Sequence, residues 1–367
     1  MLTRADDYPI HQTPEPIAYA GTDRNFYDRY FFNGHGREGE HFFAAALGVY
    51  PHLNVIDAAY CVVHEGIQHN VRASRCLHME RMDTRVGPIA VEVVEPLRRL
   101  RVRVEDPKNG IRADVRFASR ARPIEEPRFQ HRIGPRTFFD YTRLTQHGAY
   151  EGWIEVNGSR LELRPDRFLG VRDRSWGVRP VGLADPQPPA PPSMPQFYWL
   201  WAPLHFDDSA FLYDVCEDAR GSAWHRSAIV AAAGDAEPEN AAWADSSVVF
   251  RSLTRHAKSA MIRFRRRSGA EVEIAIEPKA QFYMAGLGYM NPEWGHGVFK
   301  GEEVAGYDTY DLGRVDESAP LHLHVQAFSK ATLREGGRRQ DGVGVLEQLV
   351  IGPHEPSGFR EVLDLAP

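Results

Sequence analysis

The residues best suited to chemistry stand in one run near the middle of the chain, Val171-Arg172-Asp173-Arg174-Ser175-Trp176-Gly177-Val178-Arg179-Pro180. A carboxyl set between guanidiniums is pulled two ways, since burial raises its pKa and adjacent positive charge lowers it. Asp173 is therefore a candidate general acid or base, with Arg172 and Arg174 setting its charge or steadying an oxyanion and Trp176 supplying an apolar wall. In an unbroken strand residues 172, 174 and 176 face away from Asp173, so contact between Asp173 and Trp176 needs a bulge or turn, which Gly177 permits. The competing reading is a buried structural ion pair.

A second concentration of reactive types lies further on. Tyr283, Tyr289, Asn291, Glu293, Trp294 and His296 bring phenol, carboxyl and imidazole groups into a glycine-bracketed stretch that can approach a ligand closely. His296 and Tyr283 are candidates to relay or orient a proton and Glu293 to act as an acid, against the alternative of a hydrogen-bonded loop in which Trp294 plugs a barrel end. Tyr198, Trp199 and Trp201 alternate as a strand does, with Trp199 and Trp201 on one face, a pattern that suits core as readily as a substrate wall. Trp176, Tyr198, Trp199, Trp201, Tyr289 and Trp294 form the candidate substrate-binding set.

Metal and cofactor signatures are missing. His322 and His324 have strand spacing, and His64, His69 and His78 fall in another region, but there is no HExxH, no CxxC pair and no carboxylate triad, so no metal is expected. Neither a GxGxxG opening a helix, a phosphate loop nor a GxSxG elbow occurs, so no cofactor is expected either.

The elements that must position these residues read as strands. Residues 97–105 and 111–117 flank Asp106-Pro107-Lys108-Asn109-Gly110, residues 150–156 and 160–163 flank Asn157-Gly158, and residues 261–267 and 270–276 flank Ser268-Gly269, three hairpin patterns. Residues 40–48 lean to strand despite Ala44-Ala45-Ala46, with a turn at 50–54 leading into 55–63, and residues 234–244 read as a surface loop. Long amphipathic helices are scarce, which disfavours architectures needing a helix after each strand. The fold class is all-β and antiparallel.

At 367 residues the chain exceeds the usual size of one core. Pro186, Pro188, Pro189, Pro191, Pro192 and Pro195 mark a connector at 183–196, so the expected organisation is a β domain over 1–182 and a second over 197–367. A net charge of -6 disfavours nucleic acid, and the arginines at 263, 265, 266 and 267 alternate as a solvated hairpin face would. No apolar run is long enough to span a bilayer, no export signal is read at the start, and Cys61, Cys76 and Cys216 form no close pair, so a reducing cytoplasm is expected. A homodimer is compatible with all of this.

The stretch Asp173-Arg174-Ser175-Trp176-Gly177 resembles the D-x-x-W-G signature of the carotenoid 1,2-hydratase (hydroxyneurosporene synthase) and AttH-like group. The resemblance is most specific from Gly152-Trp153 to Gly177 and extends loosely over 197–208 and 292–301. It implies two lipocalin-like β-barrel or sandwich domains in tandem, with the proton-donating role falling on Asp173. Val171 stands where the hydratases carry tyrosine, and Arg174-Ser175 replaces His-Asn; an arginine beside the acid suits an oxygenated substrate better than a polyene. The expected function is a cofactor-independent lyase or hydratase acting by acid-base chemistry on a hydrophobic aromatic or isoprenoid molecule, with retro-aldol, formaldehyde-releasing cleavage of a lignin-type aromatic as one form. A lipocalin-like carrier without catalysis, or a pericyclase, is the alternative.

Overall fold

The computed structural model describes residues 10–184 and 195–367. Most of the connector read at 183–196 lies outside these. Among the described residues the chain is almost wholly β, in two antiparallel sheets of 14 and 9 strands.

The hairpins written into the sequence are present. Arg99–Asp106 and Ile111–Ser119 join through a short 3-10 turn, Pro107–Asn109, closed by Gly110 at φ 70°. Arg136–Val156 pairs with Ser159–Leu163 through Asn157-Gly158, and Ala257–Arg265 pairs with Glu271–Tyr283. The alanine-rich stretch is the strand Phe42–Tyr50, buried throughout, followed by a turn into Val55–His64. The segment 234–244 is more ordered than a loop: Glu239–Asn240 bridges to Ile229 and Val230, and Glu239 is anchored by Arg266. Alternation places the apolar residues of each hairpin inward, as with Leu100, Val102 and Val104 facing Ile111, Ala113, Val115 and Phe117 in one core.

Each sheet pairs its first strand with one far along the chain. Phe26–Gly36 pairs with Phe168–Val178, and Phe197–His205 pairs with Arg338–Ile351. The first sheet also takes a strand from late in the chain, Glu303–Asp311, at the edge beside Ile67–Cys76. Three cores result. One fills the inside of the first sheet and one the inside of the second. The third lies between the sheets, where Phe31, Phe42 and Val171 meet Trp199, Trp201, Phe282 and Phe328.

The strand Phe168–Val178 is thus covered on both sides, with Phe26–Gly36 and Arg136–Val156 as neighbours in unbroken register. Gly34, Gly170 and Gly148 stand side by side across these three strands. The rings of Phe43 and Phe117 occupy the space a Cβ would need at Gly34 and Gly148, and at Gly170 a Cβ would lie 2.1 Å from the Asn33 carbonyl oxygen. Only glycine allows this close approach.

Candidate functional site

Pairing across the three central strands decides which residues share a face. Phe31, Asp173 and Thr145 form one row, Arg29, Ser175 and Arg143 the next, and Tyr27, Gly177 and Tyr141 the third. Successive rows on one face are roughly 7 Å apart. All three look toward the second sheet, because Phe31 and Val171 on this face pack in the core between the sheets.

Asp173 occupies the first of these rows. Its side chain keeps some accessible surface yet accepts no hydrogen bond from the described residues. Burial pushes its carboxyl up to about 6, Arg143, Arg29 and Arg179 pull the other way, and Glu347 adds to the rise. A carboxyl in this range exchanges a proton near neutral pH.

The guanidiniums beside it are unequally compensated. Arg143 is held by Glu126, whose Oε1 lies 2.8 Å from Nε and also accepts from the Thr145 hydroxyl at 2.6 Å. Arg143 also covers the rings of Phe129 at 4.8 Å and Trp199 at 5.0 Å. Arg29, by contrast, is buried with no carboxylate in ion-pair contact among the described residues, and its Nε has no partner. It and Arg179 both donate to Nδ1 of His296, at 3.3 and 3.1 Å, and both lie over the ring of Tyr289, at 4.8 and 5.8 Å. Because a guanidinium can only donate, Nδ1 of His296 is an acceptor and Nε2–H donates to the Leu287 carbonyl at 3.0 Å. Burial together with the two guanidiniums keeps His296 well below the usual imidazole range. In this arrangement it is a neutral anchor for the two arginines.

The facing sheet supplies a polar network. Glu347 accepts from Trp199 Nε1 at 3.0 Å, from His324 Nε2 at 2.8 Å and from Gln326 Nε2 at 2.5 Å. Burial opposes its ionisation, but these bonds outweigh it and hold the carboxyl below its usual range. Asn33 then ties the sheets together, donating to Gln326 at 2.9 Å and accepting from the Val171 backbone at 3.0 Å, two residues from Asp173. Asp173 therefore stands on a central strand of the first sheet and Glu347 on the last strand of the second.

Arg179, Tyr289 and His296 line one end of a cleft of about 770 Å³ whose walls include Phe138, Phe139, Phe197, Trp224, Leu349 and Ile351. Phe139 meets Phe197 at 5.7 Å and Trp224 at 6.1 Å, and His131 stacks on Trp224 at 4.5 Å. The volume and aromatic lining suit a small apolar molecule with a few polar groups.

The other residues singled out in the sequence fall elsewhere. Arg172 and Arg174 are carried to the opposite face from Asp173, because the strand runs through without a bulge: Arg172 donates to Gln146 at 2.9 Å, and Arg174 pairs with Asp28 and covers Tyr30 at 4.1 Å. Trp176 follows them outward and is 39% exposed, so the contact with Asp173 that a bulge would have allowed is not made. Tyr198 packs inside the second sheet, stacked 4.0 Å from His354. Trp199 and Trp201 do share the face toward Arg143, both in the core between the sheets. Tyr283 belongs to a different cluster with Glu317, His256, His322 and Tyr310. Glu293 is exposed, and Trp294 packs over Gly306 under Lys300. His322 donates from Nδ1 to the Asp316 carbonyl at 2.8 Å while His324 serves Glu347, so the pair is split.

Arg29, Arg143, Glu347 and His324 carry no sequence motif. The one legible signal is that Tyr27, Arg29, Phe31, Asn33 and His35 alternate, so an arginine falls on a face otherwise aromatic or amide-bearing. Arg179 stood in the opening run but was not separated from its neighbours.

Comparison with solved structures places the architecture. An AttH-like protein from Nitrosomonas europaea, solved at 2.00 Å, aligns over 93% of this chain and 97% of its own, with a TM-score of 0.52 and 12% identity. Kievitone hydratase from Nectria haematococca aligns over 91% of this chain and 92% of its own, at a TM-score of 0.49 and 11% identity. The first likeness shows the AttH-like fold that Asp173 to Gly177 implied, and shows fold alone. No curated protein matches the chain at a significant level. Over residues 2–360 the sequence matches a family described as one of unknown function, DUF8625, and the chain belongs to that family.

Proposed function

We propose that the chain is a cofactor-independent lyase or hydratase acting by acid-base chemistry on a hydrophobic, oxygenated aromatic molecule. The observation that carries this reading is Asp173, a desolvated carboxyl raised to about 6 with no hydrogen-bond partner among the described residues, set one row from Arg29. A desolvated guanidinium with no carboxylate to balance its charge is costly, so Arg29 and Arg179, whose shared partner is the neutral His296, are complementary to an anionic oxygen that the bound molecule would bring.

In the hydration direction the Asp173 carboxylic acid gives its proton to one carbon of a carbon-carbon double bond. Water adds its oxygen to the other carbon, and the proton released returns to the carboxylate. Arg29 and Arg179 hold a phenolate or enolate oxygen conjugated with the reacting carbons. Elimination is the same path reversed, and retro-aldol release of formaldehyde is a variant in which the Asp173 carboxylate takes the proton of a hydroxymethyl group, the carbon-carbon bond breaks, and its electron pair passes to a conjugated carbonyl or quinone-methide oxygen that becomes the oxyanion held by Arg29 and Arg179. The aromatic cleft excludes water from the apolar body of the substrate.

The test uses Asp173→Asn and a panel of hydroxylated aryl alkenes and their hydrates. Binding is measured by calorimetry and turnover by chromatography. The expected result is retained binding with turnover lowered about 10²- to 10⁴-fold; turnover unchanged in the variant overturns the assignment.

A further inference from the structure

The same strand that sends Asp173 toward the second sheet sends Arg174 into the mouth of the first, where a separate cavity of about 600 Å³ opens. Tyr30, Val49, Val91 and Val93 supply apolar lining, and Ile10 and Ile17 approach from the start of the described chain. Four arginines line it as well: Arg81, Arg85, Arg103 and Arg174.

Their charges are poorly matched within the cavity. Asp28 is shared, one carboxylate oxygen with Arg174 and the other with Arg81 at 3.5 Å. The two other acidic residues at the rim are drawn to arginines that do not line the cavity, Asp83 to Arg75 at 3.2 Å and Glu92 to Arg101 at 3.8 Å. Arg85 and Arg103 make no side-chain ion pair among the described residues. Arg81 and Arg174 are both partly buried, and burial lowers the pKa of each, that of Arg174 to about 10. Two desolvated guanidiniums dividing one carboxylate leave unused donors pointing into a space with apolar walls.

We infer that this mouth is a second ligand site, built for an amphipathic carboxylate whose head group bridges Arg81 and Arg174 and whose apolar body lies along Tyr30, Val49 and Val91. The site is independent of the chemistry proposed at Asp173, since it lies on the other face of the strand and shares no lining residue with the aromatic cleft. Its size falls within the range of small-molecule pockets. Asp28 competes with the incoming head group for both arginines, so it limits the affinity of the site.

Titration calorimetry of the full chain with decanoate, and with decanol as the uncharged control, tests this. Decanoate should bind at least tenfold more tightly than decanol, and Arg81→Gln should remove most of that preference, on the order of tenfold, while decanol binding stays unchanged. Asp28→Asn frees both guanidiniums and should tighten decanoate binding several-fold. A gain of this kind cannot come from misfolding. Equal binding of decanoate and decanol, or an Asp28→Asn variant that binds decanoate no better than the parent, overturns the inference.

Discussion

Replacing Asp173 by asparagine should make the protein more stable in alkaline solution and leave it unchanged in acid. The carboxyl rises from 3.8 to about 6 on folding because burial outweighs the attraction of Arg143, Arg29 and Arg179. A group whose folded pKa is raised binds its proton more tightly in the native state, so ionisation works against the fold. Below about pH 3 the carboxyl is protonated in both states and resembles the amide. As pH rises from about 4 through 6 the unfolded carboxyl ionises first, and the native state loses stability until both forms are charged. At about 1.4 kcal/mol per unit the full cost is about 3 kcal/mol by pH 7 to 8. Urea unfolding of both proteins at about pH 3, 6 and 8 measures it. The difference in stability should grow from near zero to about 2 to 3 kcal/mol in favour of the asparagine variant. A difference that does not change with pH would mean that Asp173 is solvated or paired in solution, and the argument for its role would fail.

Other consequences are open to measurement. If Asp173 donates the proton in hydration, kcat/KM should fall as pH rises through about 6, and the limb should vanish in the asparagine variant. Arg179→Met should weaken binding of a phenolate-bearing ligand about 10- to 100-fold by calorimetry, with an uncharged analogue affected less than threefold, since one charge-assisted contact is lost; equal losses would show that Arg179 only packs on Tyr27. Gly170→Ala places a methyl 2.1 Å from the Asn33 carbonyl and should destabilise the protein by about 2 kcal/mol or more in chemical denaturation, as the central strands are forced apart.

The strands were legible where their cause is local. Asn157-Gly158 and Pro107 to Gly110 set tight connections whose backbone shape depends on a few adjacent residues, and inward alternation follows from the two-residue period of a strand. The partition of the central run was legible in half. Alternation predicts that Arg172, Arg174 and Trp176 turn away from Asp173, and the uninterrupted pairing of Phe168–Val178 with both neighbours removes the bulge that would have reversed this. The charges that bear on Asp173 in their place come from other strands: Arg29 and Arg143 from the flanking strands, and Glu347 from the last strand of the other sheet.

What the amino-acid sequence determined by itself was the class of structure and the identity of one acid worth watching, because turn chemistry, strand period and the residues around Asp173 are all short-range properties. Which face that acid occupies in company, and with which charges, was decided only by tertiary structure. Register between strands more than a hundred residues apart put Arg29, which has no carboxylate in ion-pair contact among the described residues, one row from it, and the packing of one sheet on the other desolvated it. Desolvation and charge pairing depend on what lies within a few ångströms in space, and no local pattern encodes that neighbourhood.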